Sequence, residues 1–343
     1  RTHYPDHSYI FSHNNNIKRI NVSMQPTLAP QTLSTSDGAN LAVYHWPADG
    51  AAHAQMVICH GMAEHGARYA ALADALNAQG ISVQALDLRG HGASTPEMPR
   101  GVLPASANWD SLVADVALLL QRTRVAHPGQ PIILLGHSMG SYLAQSVLIE
   151  HSALVDIAVL SGSHAQPAGL SAMAGVVARI EGLLRGAQSP AKALDRLSFA
   201  QYNRAFAPNR TAFDWLSRDT QQVDRYVADP LCGFVLCCHY WRCLAQALLD
   251  IRSPQQLAAI RPDLPVLIIG GDADPISAGG GLEKLQGRLR EAGLEQVELR
   301  LYPGARHEVF NETNRAEVTQ DLLAWLAPHL TALSQRSRTD ANP

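Results

Sequence analysis

Short apolar runs alternate along this chain with stretches whose apolar residues recur at helical spacing. Residues 41–46 alternate weakly and predict an early strand, and residues 55–59 are apolar enough for a buried one. Tyr69, Leu72, Ala73 and Leu76 share one helix face, which Gly80 closes. A strand over 81–86 comes next, then a long helix carrying Leu112, Val113, Val116, Leu119 and Leu120. The run at 131–135 leads into a helical pattern at Tyr142, Leu143, Ala144, Val147 and Leu148, and residues 155–160 are again strand-like. Apolar strands joined by helices predict a mostly parallel central sheet with helices on both faces, an α/β fold.

The rhythm breaks between 163 and 253. Met173, Val176, Val177, Ile180, Leu183 and Leu184 form an apolar helical stripe there. Tyr202, Phe206, Phe213, Trp215, Tyr226, Phe234, Tyr240 and Trp241 follow with no strand pattern among them. This predicts a mainly helical insertion, residues 163–253, capping the C-terminal edge of the sheet. Strand and helix resume at 265–269, 281–292 and 297–301, and a last helix runs through Val318, Leu322, Leu323, Trp325 and Leu326. The expected core is therefore 24–162 with 254–333. Residues 1–23, polar and rich in His and Asn, read as a disordered extension, with Met24 as a natural start. Residues 334–343 read as a disordered tail.

Charge and cysteine content narrow the class. The formal net charge is −3, which supplies no general attraction to nucleic acid. No run approaches the ~20 apolar residues of a membrane span, and the first residues lack the apolar core of a secretory signal. Five cysteines, four of them close together at 232, 237, 238 and 243, do not form a secreted disulfide framework; a cytoplasmic location is expected.

The chemistry enters at Gly136-His137-Ser138-Met139-Gly140, between the 131–135 strand and the helix that follows. Strand, Gly-x-Ser-x-Gly and helix make a nucleophile elbow, in which a strained turn exposes the serine hydroxyl. A serine needs a base, and the base needs a carboxylate to orient it. The chain order Ser, Asp, His at strand ends is met by Ser138, by the loop Gly271-Asp272-Ala273-Asp274, and by His307 after the last strand. Asp272 and Asp274 both compete for the carboxylate role. Gly-x-x-Asp spacing from Gly271 selects Asp274 and leaves Asp272 to cap the turn. Two backbone N–H groups must face the developing oxyanion; Met139, after the nucleophile, and Met62, in the loop after an early strand, are the candidates. Asp87, Arg89, His91 and His60 are expected to brace loops, and His137 to point away from the site. Cys237, Cys238, His239 and Cys243 match no zinc spacing, and Gly279-Gly280-Gly281 lacks the lysine of a P-loop. No metal and no cofactor are expected.

These motifs carry a family likeness. His60-Gly-Met-Ala-Glu-His65-Gly-Ala-Arg68-Tyr69, Asp87-Leu-Arg-Gly-His-Gly92, the elbow, Asp229-Pro-Leu-Cys232 and Gly304-Ala-Arg-His307-Glu308 occur in matching order over about residues 55–310. The chain resembles the monoacylglycerol lipase and lysophospholipase branch of the α/β-hydrolases, the Hydrolase_4 or serine aminopeptidase S33-like group. The resemblance implies an α/β-hydrolase fold and the triad Ser138, Asp274 and His307, with Met62 and Met139 as oxyanion donors. A small-molecule ester or lipid substrate is expected, with a monomer or small homo-oligomer and transient contact between the cap and a membrane surface. A short-chain carboxylesterase and an acyltransferase using the same triad are the alternatives. Ser141 departs from the pattern, standing where a further glycine is common.

Overall fold

The computed structural model describes residues 29–340 other than Glu97 and Gln166, with the backbone alone described at 198–200 and 336–340. The expected extension over residues 1–23 lies outside the described residues. Eight strands form one sheet: β1 (Gln31–Ser34), β2 (Asn40–Trp46), β3 (Ala54–Cys59), β4 (Ile81–Leu86), β5 (Ile132–His137), β6 (Ile157–Ser161), β7 (Val266–Gly271) and β8 (Val297–Tyr302). Their spatial order is β1-β2-β4-β3-β5-β6-β7-β8; β2 is antiparallel to both neighbours, and every pair from β4 to β8 is parallel. Parallel strands place all their C-terminal ends along one edge, where sites of such sheets form.

The helices of the first half are α1 (Ala70–Asn77), α2 (Trp109–Ala126) and α3 (Met139–His151). Asn108 caps α2 through a reciprocal hydrogen-bonded box with Ser111. Between β6 and β7 lie α4 (Ala168–Arg185), α5 (Lys192–Arg204), α6 (Thr220–Ala228), α7 (Cys238–Asp250) and the single turn α8 (Pro254–Leu257); α9 (Gly281–Glu291) and α10 (Arg315–Asp340) complete the fold. The core strands read as continuous apolar runs because both sheet faces are covered. In β5, Ile132 and Leu134 join the cluster beneath α2 and α3, while Ile133 and Leu135 join the one beneath α1 and α10. Alternate residues thus feed opposite cores, as the two-residue period of a strand requires.

Three features depart from the sequence reading. β1 has a single buried residue, Leu33, so no apolar pattern announces it. Residues 334–340, expected to be disordered, continue the backbone of α10 to Asp340; polar composition alone does not stop a helix, and this stretch holds no glycine or proline to end it. The apolar stripe of α4 faces outward. Ala178 and Ser171 are buried, and Gly175 and Gly182 pass close to Ala245 and Cys238 of α7. The small residues make the packed face, so Met173, Val176, Ile180, Leu183 and Leu184 are all more than half exposed.

Candidate active site

Four loops at the C-terminal ends of β3, β5, β7 and β8 converge. Ser138 follows β5 directly and has φ 52°, one of two non-glycine residues with positive φ among the described residues. Such backbone costs on the order of 1–3 kcal/mol and persists only where its surroundings enforce it. Here the Ser138 amide donates to the Ser161 carbonyl (2.9 Å), and its carbonyl accepts from the Ser141 amide (2.8 Å) and the Ser141 hydroxyl (2.6 Å). The glycines are compulsory. A Cβ on Gly140 would lie 2.1 Å from the Cys59 carbonyl oxygen, and one on Gly136 2.3 Å from that of Gly140. With its proton on the Ser138 carbonyl, the buried Ser141 hydroxyl accepts from the Ser163 hydroxyl at 2.8 Å.

The structure separates the two candidate carboxylates. Asp274 Oδ2 lies 2.9 Å from His307 Nδ1, both side chains being buried. Asp272 accepts instead from the Gly304 amide at 2.6 Å and holds the turn before His307. Burial disfavours charge on His307, but the adjacent Asp274 carboxylate and its hydrogen bond outweigh this, and the pKa is raised above its ordinary value. Ser138 and His307 line one cavity of about 340 Å³, together with Met62, Phe213, Leu216 and Phe234. Neither the Met62 nor the Met139 amide has a hydrogen-bond acceptor among the described residues. Met139 opens α3, where amides are free of helical partners.

His137 does not point away. Its ring lies 4.8 Å from that of His307 and lines the same cavity. Burial, then the neighbouring His307, push its pKa down to about 4. His307 also meets the Trp215 ring at 5.1 Å. His60 and His91 brace loops. His60 Nε2 accepts from the Leu88 amide at 3.0 Å and Nδ1 lies 2.7 Å from the Gly61 carbonyl. His91 Nε2 accepts from the Ala63 amide at 3.2 Å, holding a residue at φ 55° directly after Met62. Asp87 accepts from the Gly66 and Ala93 amides. Arg89 pairs with Asp115 and Asp37. The cysteines near α7 serve packing: Cys237 caps the helix by accepting from the Tyr240 amide, and His239 meets the Ala107 carbonyl at 2.8 Å.

Spacing in the sequence gave no sign that the β3 loop and the His307 loop share one ion pair. Arg68 is bidentate to Glu308 at 2.7 Å and also donates to Glu64, which in turn accepts from the Gly61 amide. Burial works against charge on Glu64, but Arg68 prevails and its pKa is lowered. The insertion is tied to the same loops. Tyr226 donates its hydroxyl proton to the Ala63 carbonyl at 2.9 Å, and the Glu308 amide donates to the Leu216 carbonyl at 2.8 Å. Glu312, fully buried, accepts from the amide and Nε of Arg218 and from the Arg306 amide.

Known proteins share this arrangement of chain. The sequence model of the Hydrolase_4 family, described as serine aminopeptidase S33, matches residues 50–314. A monoacylglycerol lipase of Mycolicibacterium smegmatis is 31% identical over 310 residues, 89% of this chain and 99% of that protein. A monoglyceride lipase of Mus musculus is 28% identical, covering 88% of this chain and 91% of that one. In three dimensions, a thermostable carboxyl esterase from Bacillus coagulans in complex with glycerol superimposes with a TM-score of 0.80 over 89% of this chain and all of that one, at 22% identity, which speaks for the fold. The chain belongs to the Hydrolase_4 family of α/β-hydrolases and is a monoacylglycerol lipase-like ester hydrolase.

Proposed function

We propose that this hydrolase cleaves monoacylglycerols or lysophospholipids through a Ser138, His307, Asp274 triad. The observation that carries the reading is the 2.9 Å contact of His307 Nδ1 with Asp274, with Ser138 on the wall of the same cavity. Ser138 Oγ attacks the ester carbonyl while His307 Nε2 takes its proton, and Asp274 holds the ring and stabilises the imidazolium. The tetrahedral oxyanion rests on the Met62 and Met139 amides. His307 returns the proton to the departing alcohol, and water then releases the acid by the same route.

The helical insertion acts as the cap and supplies the apolar wall through Phe213, Leu216 and Phe234. The outward stripe of α4, flanked by Arg179 and Arg185, is suited to a lipid surface. Among the described residues no helix is long and apolar enough to cross a membrane. All five cysteines are unpaired, in keeping with the reducing cytoplasm. Leu183→Asp with Leu184→Asp is expected to lower co-sedimentation with phospholipid vesicles. Unchanged binding would remove α4 from this role.

A second reading, a short-chain carboxylesterase, is favoured by cavity size. About 340 Å³ is near the small end of ligand pockets, roughly 300–1,000 Å³. The test is hydrolysis of p-nitrophenyl esters from two to sixteen carbons beside mono-, di- and triacylglycerols, with Ser138→Ala as control. Turnover of monoacylglycerols supports the lipase reading; short-ester preference without it moves the assignment to carboxylesterase. Activity persisting in folded Ser138→Ala would refute the triad. Acyl transfer to added glycerol, followed by product analysis, separates hydrolase from acyltransferase.

A further inference from the structure

We propose that His65, Asp229 and Cys232 form a binding site for a borderline-soft divalent cation, Zn²⁺ by its chemistry, whose occupancy slows the enzyme by pulling on the loop that carries Met62. His65 lies three residues beyond Met62, while Asp229 and Cys232 follow α6 in the insertion. One ring nitrogen of His65, one carboxylate oxygen of Asp229 and the Cys232 sulfur lie within 4.8 Å of one another. His65 Nε2 is 2.8 Å from Asp229 Oδ2, whereas its Nδ1 is buried with no hydrogen-bond partner among the described residues. A structural His–Asp pair accounts for the first contact. It does not account for a bare buried nitrogen or for a thiol placed beside the pair.

The donor set selects the ion. Nitrogen, oxygen and sulfur together suit Zn²⁺, while Mg²⁺ and Ca²⁺ require oxygen ligands. Zinc binds nitrogen and oxygen at about 2.0–2.2 Å and sulfur at about 2.3 Å. Ligand atoms around one tetrahedral ion are therefore about 3.3–3.8 Å apart, and the widest gap here must close by about 1 Å. Local charge favours a cation: Arg68 alone faces Glu64 and Glu308, and Asp229 adds a third carboxylate. The Asp229 side chain is 28% exposed, so an ion can enter and keep a water ligand. Binding releases the Cys232 thiol proton to solvent and leaves His65 neutral.

Occupancy reaches the active site through one residue. Gly233, next to Cys232, donates its amide to the Ala63 carbonyl at 2.9 Å, beside the Tyr226 hydroxyl on the same oxygen. Drawing Cys232 toward His65 pulls Gly233 from that carbonyl and shifts the adjoining Met62 amide. The expected result is a loss in kcat of about tenfold with KM little changed, less than the ~10²–10³ for a deleted oxyanion donor, because the amide is displaced rather than removed.

The binding half rests on geometry alone, and the kinetic half on the ester-hydrolase reading. The full chain, stripped with a chelator, is titrated with Co²⁺ and then with Zn²⁺. One equivalent of Co²⁺ should give a thiolate-to-cobalt charge-transfer band that Zn²⁺ bleaches. Cys232→Ser should abolish the band and Cys243→Ser should keep it. Asp229→Asn, which retains an acceptor for His65, should weaken cobalt binding at least tenfold. In p-nitrophenyl ester assays, Zn²⁺ should lower kcat reversibly in the parent chain and not in Cys232→Ser. Absence of the band in the parent, or its survival in Cys232→Ser, would overturn the site. A normal band with unchanged kcat would overturn the coupling. A protein without esterase activity would refute the functional reading while leaving the cobalt result legible.

Discussion

Replacing Gly162 with alanine tests whether the position of His307 is set by packing. Gly162 follows β6 and has φ 54°. A Cβ there would lie 3.0 Å from Cε1 of His137, 3.0 Å from Cε1 of His307 and 3.1 Å from the His307 carbonyl. Two costs follow. The left-handed backbone costs an alanine roughly 1–2 kcal/mol. Carbon atoms prefer about 3.5 Å or more, so each ring must retreat by about half an ångström. His307 has little room, since its ring also meets Trp215 and Asp274 holds its Nδ1. A 1 Å misplacement in an active site can cost about 10²-fold, so half of that should lower kcat about tenfold. KM should change little, because Gly162 is not on the cavity wall. Gly129→Ala is the control: φ is 77° there, but nothing lies within 4 Å of the new Cβ. Both variants should lose roughly 1–2 kcal/mol in urea unfolding from the shared backbone cost, and Gly162→Ala should lose more because of the clash. Only Gly162→Ala should lose kcat toward a p-nitrophenyl ester. If it keeps kcat within twofold of the parent while losing stability, the strain is absorbed elsewhere, and the argument that packing positions His307 is wrong.

Ser138→Ala should reduce ester hydrolysis by about 10⁶ and abolish labelling by a fluorophosphonate probe; labelling at another serine would redirect the assignment. Hydrolysis requires neutral His307, whose pKa is raised by Asp274 against the effect of burial. Activity should therefore fall as pH drops through a value above 6.5, the ordinary histidine value. In Asp274→Asn that midpoint should move down and kcat should fall by about 10⁴; an unmoved pH profile would exclude Asp274 as the partner. Acid stability follows from the bracing histidines. Burial holds His60 and His91 at about 3 and His137 at about 4. Between pH 6.5 and those values the unfolded chain binds protons that the folded chain refuses, so their contribution is lost as pH falls. His307, with its raised pKa, acts in the opposite sense, present below 6.5 and lost as pH rises through its folded value. Near pH 5.5 His307 is protonated in both states and contributes almost nothing, so the net comes from the other three rings and is between two and three protons, or roughly 3–4 kcal/mol per pH unit. Urea midpoints at pH 7, 6 and 5 measure it, and a flat response would show that these rings are not held neutral.

Much of the fold was legible because both faces of the parallel strands are buried. Each core strand is then an apolar run bounded by polar loops, and β3 to β7 could be read that way, while β2 showed only weak alternation. β1 escaped because only Leu33 enters the core. Ser138 was legible for a different reason: the turn leaves no space for side chains at Gly136 and Gly140, so geometry is written directly into composition. Helical spacing marked the apolar stripe of α4 but does not say which face packs. Glycine and alanine permit the close approach to α7, and that preference shows only when α7 is in place.

The sequence by itself determined the α/β architecture, the elbow and the order of the candidate catalytic residues, because these depend on periodicity and on local backbone strain. Loop spacing already pointed to Asp274 over Asp272; only the tertiary structure put its carboxylate against His307, turned His137 toward the site, and set Arg68 between Glu64 and Glu308. It alone brought His65 to Asp229 and Cys232, more than 160 positions away. Such contacts join loops that are distant in the chain. They are decided by where parallel strands end and by how the insertion folds back over them, and no local pattern records either.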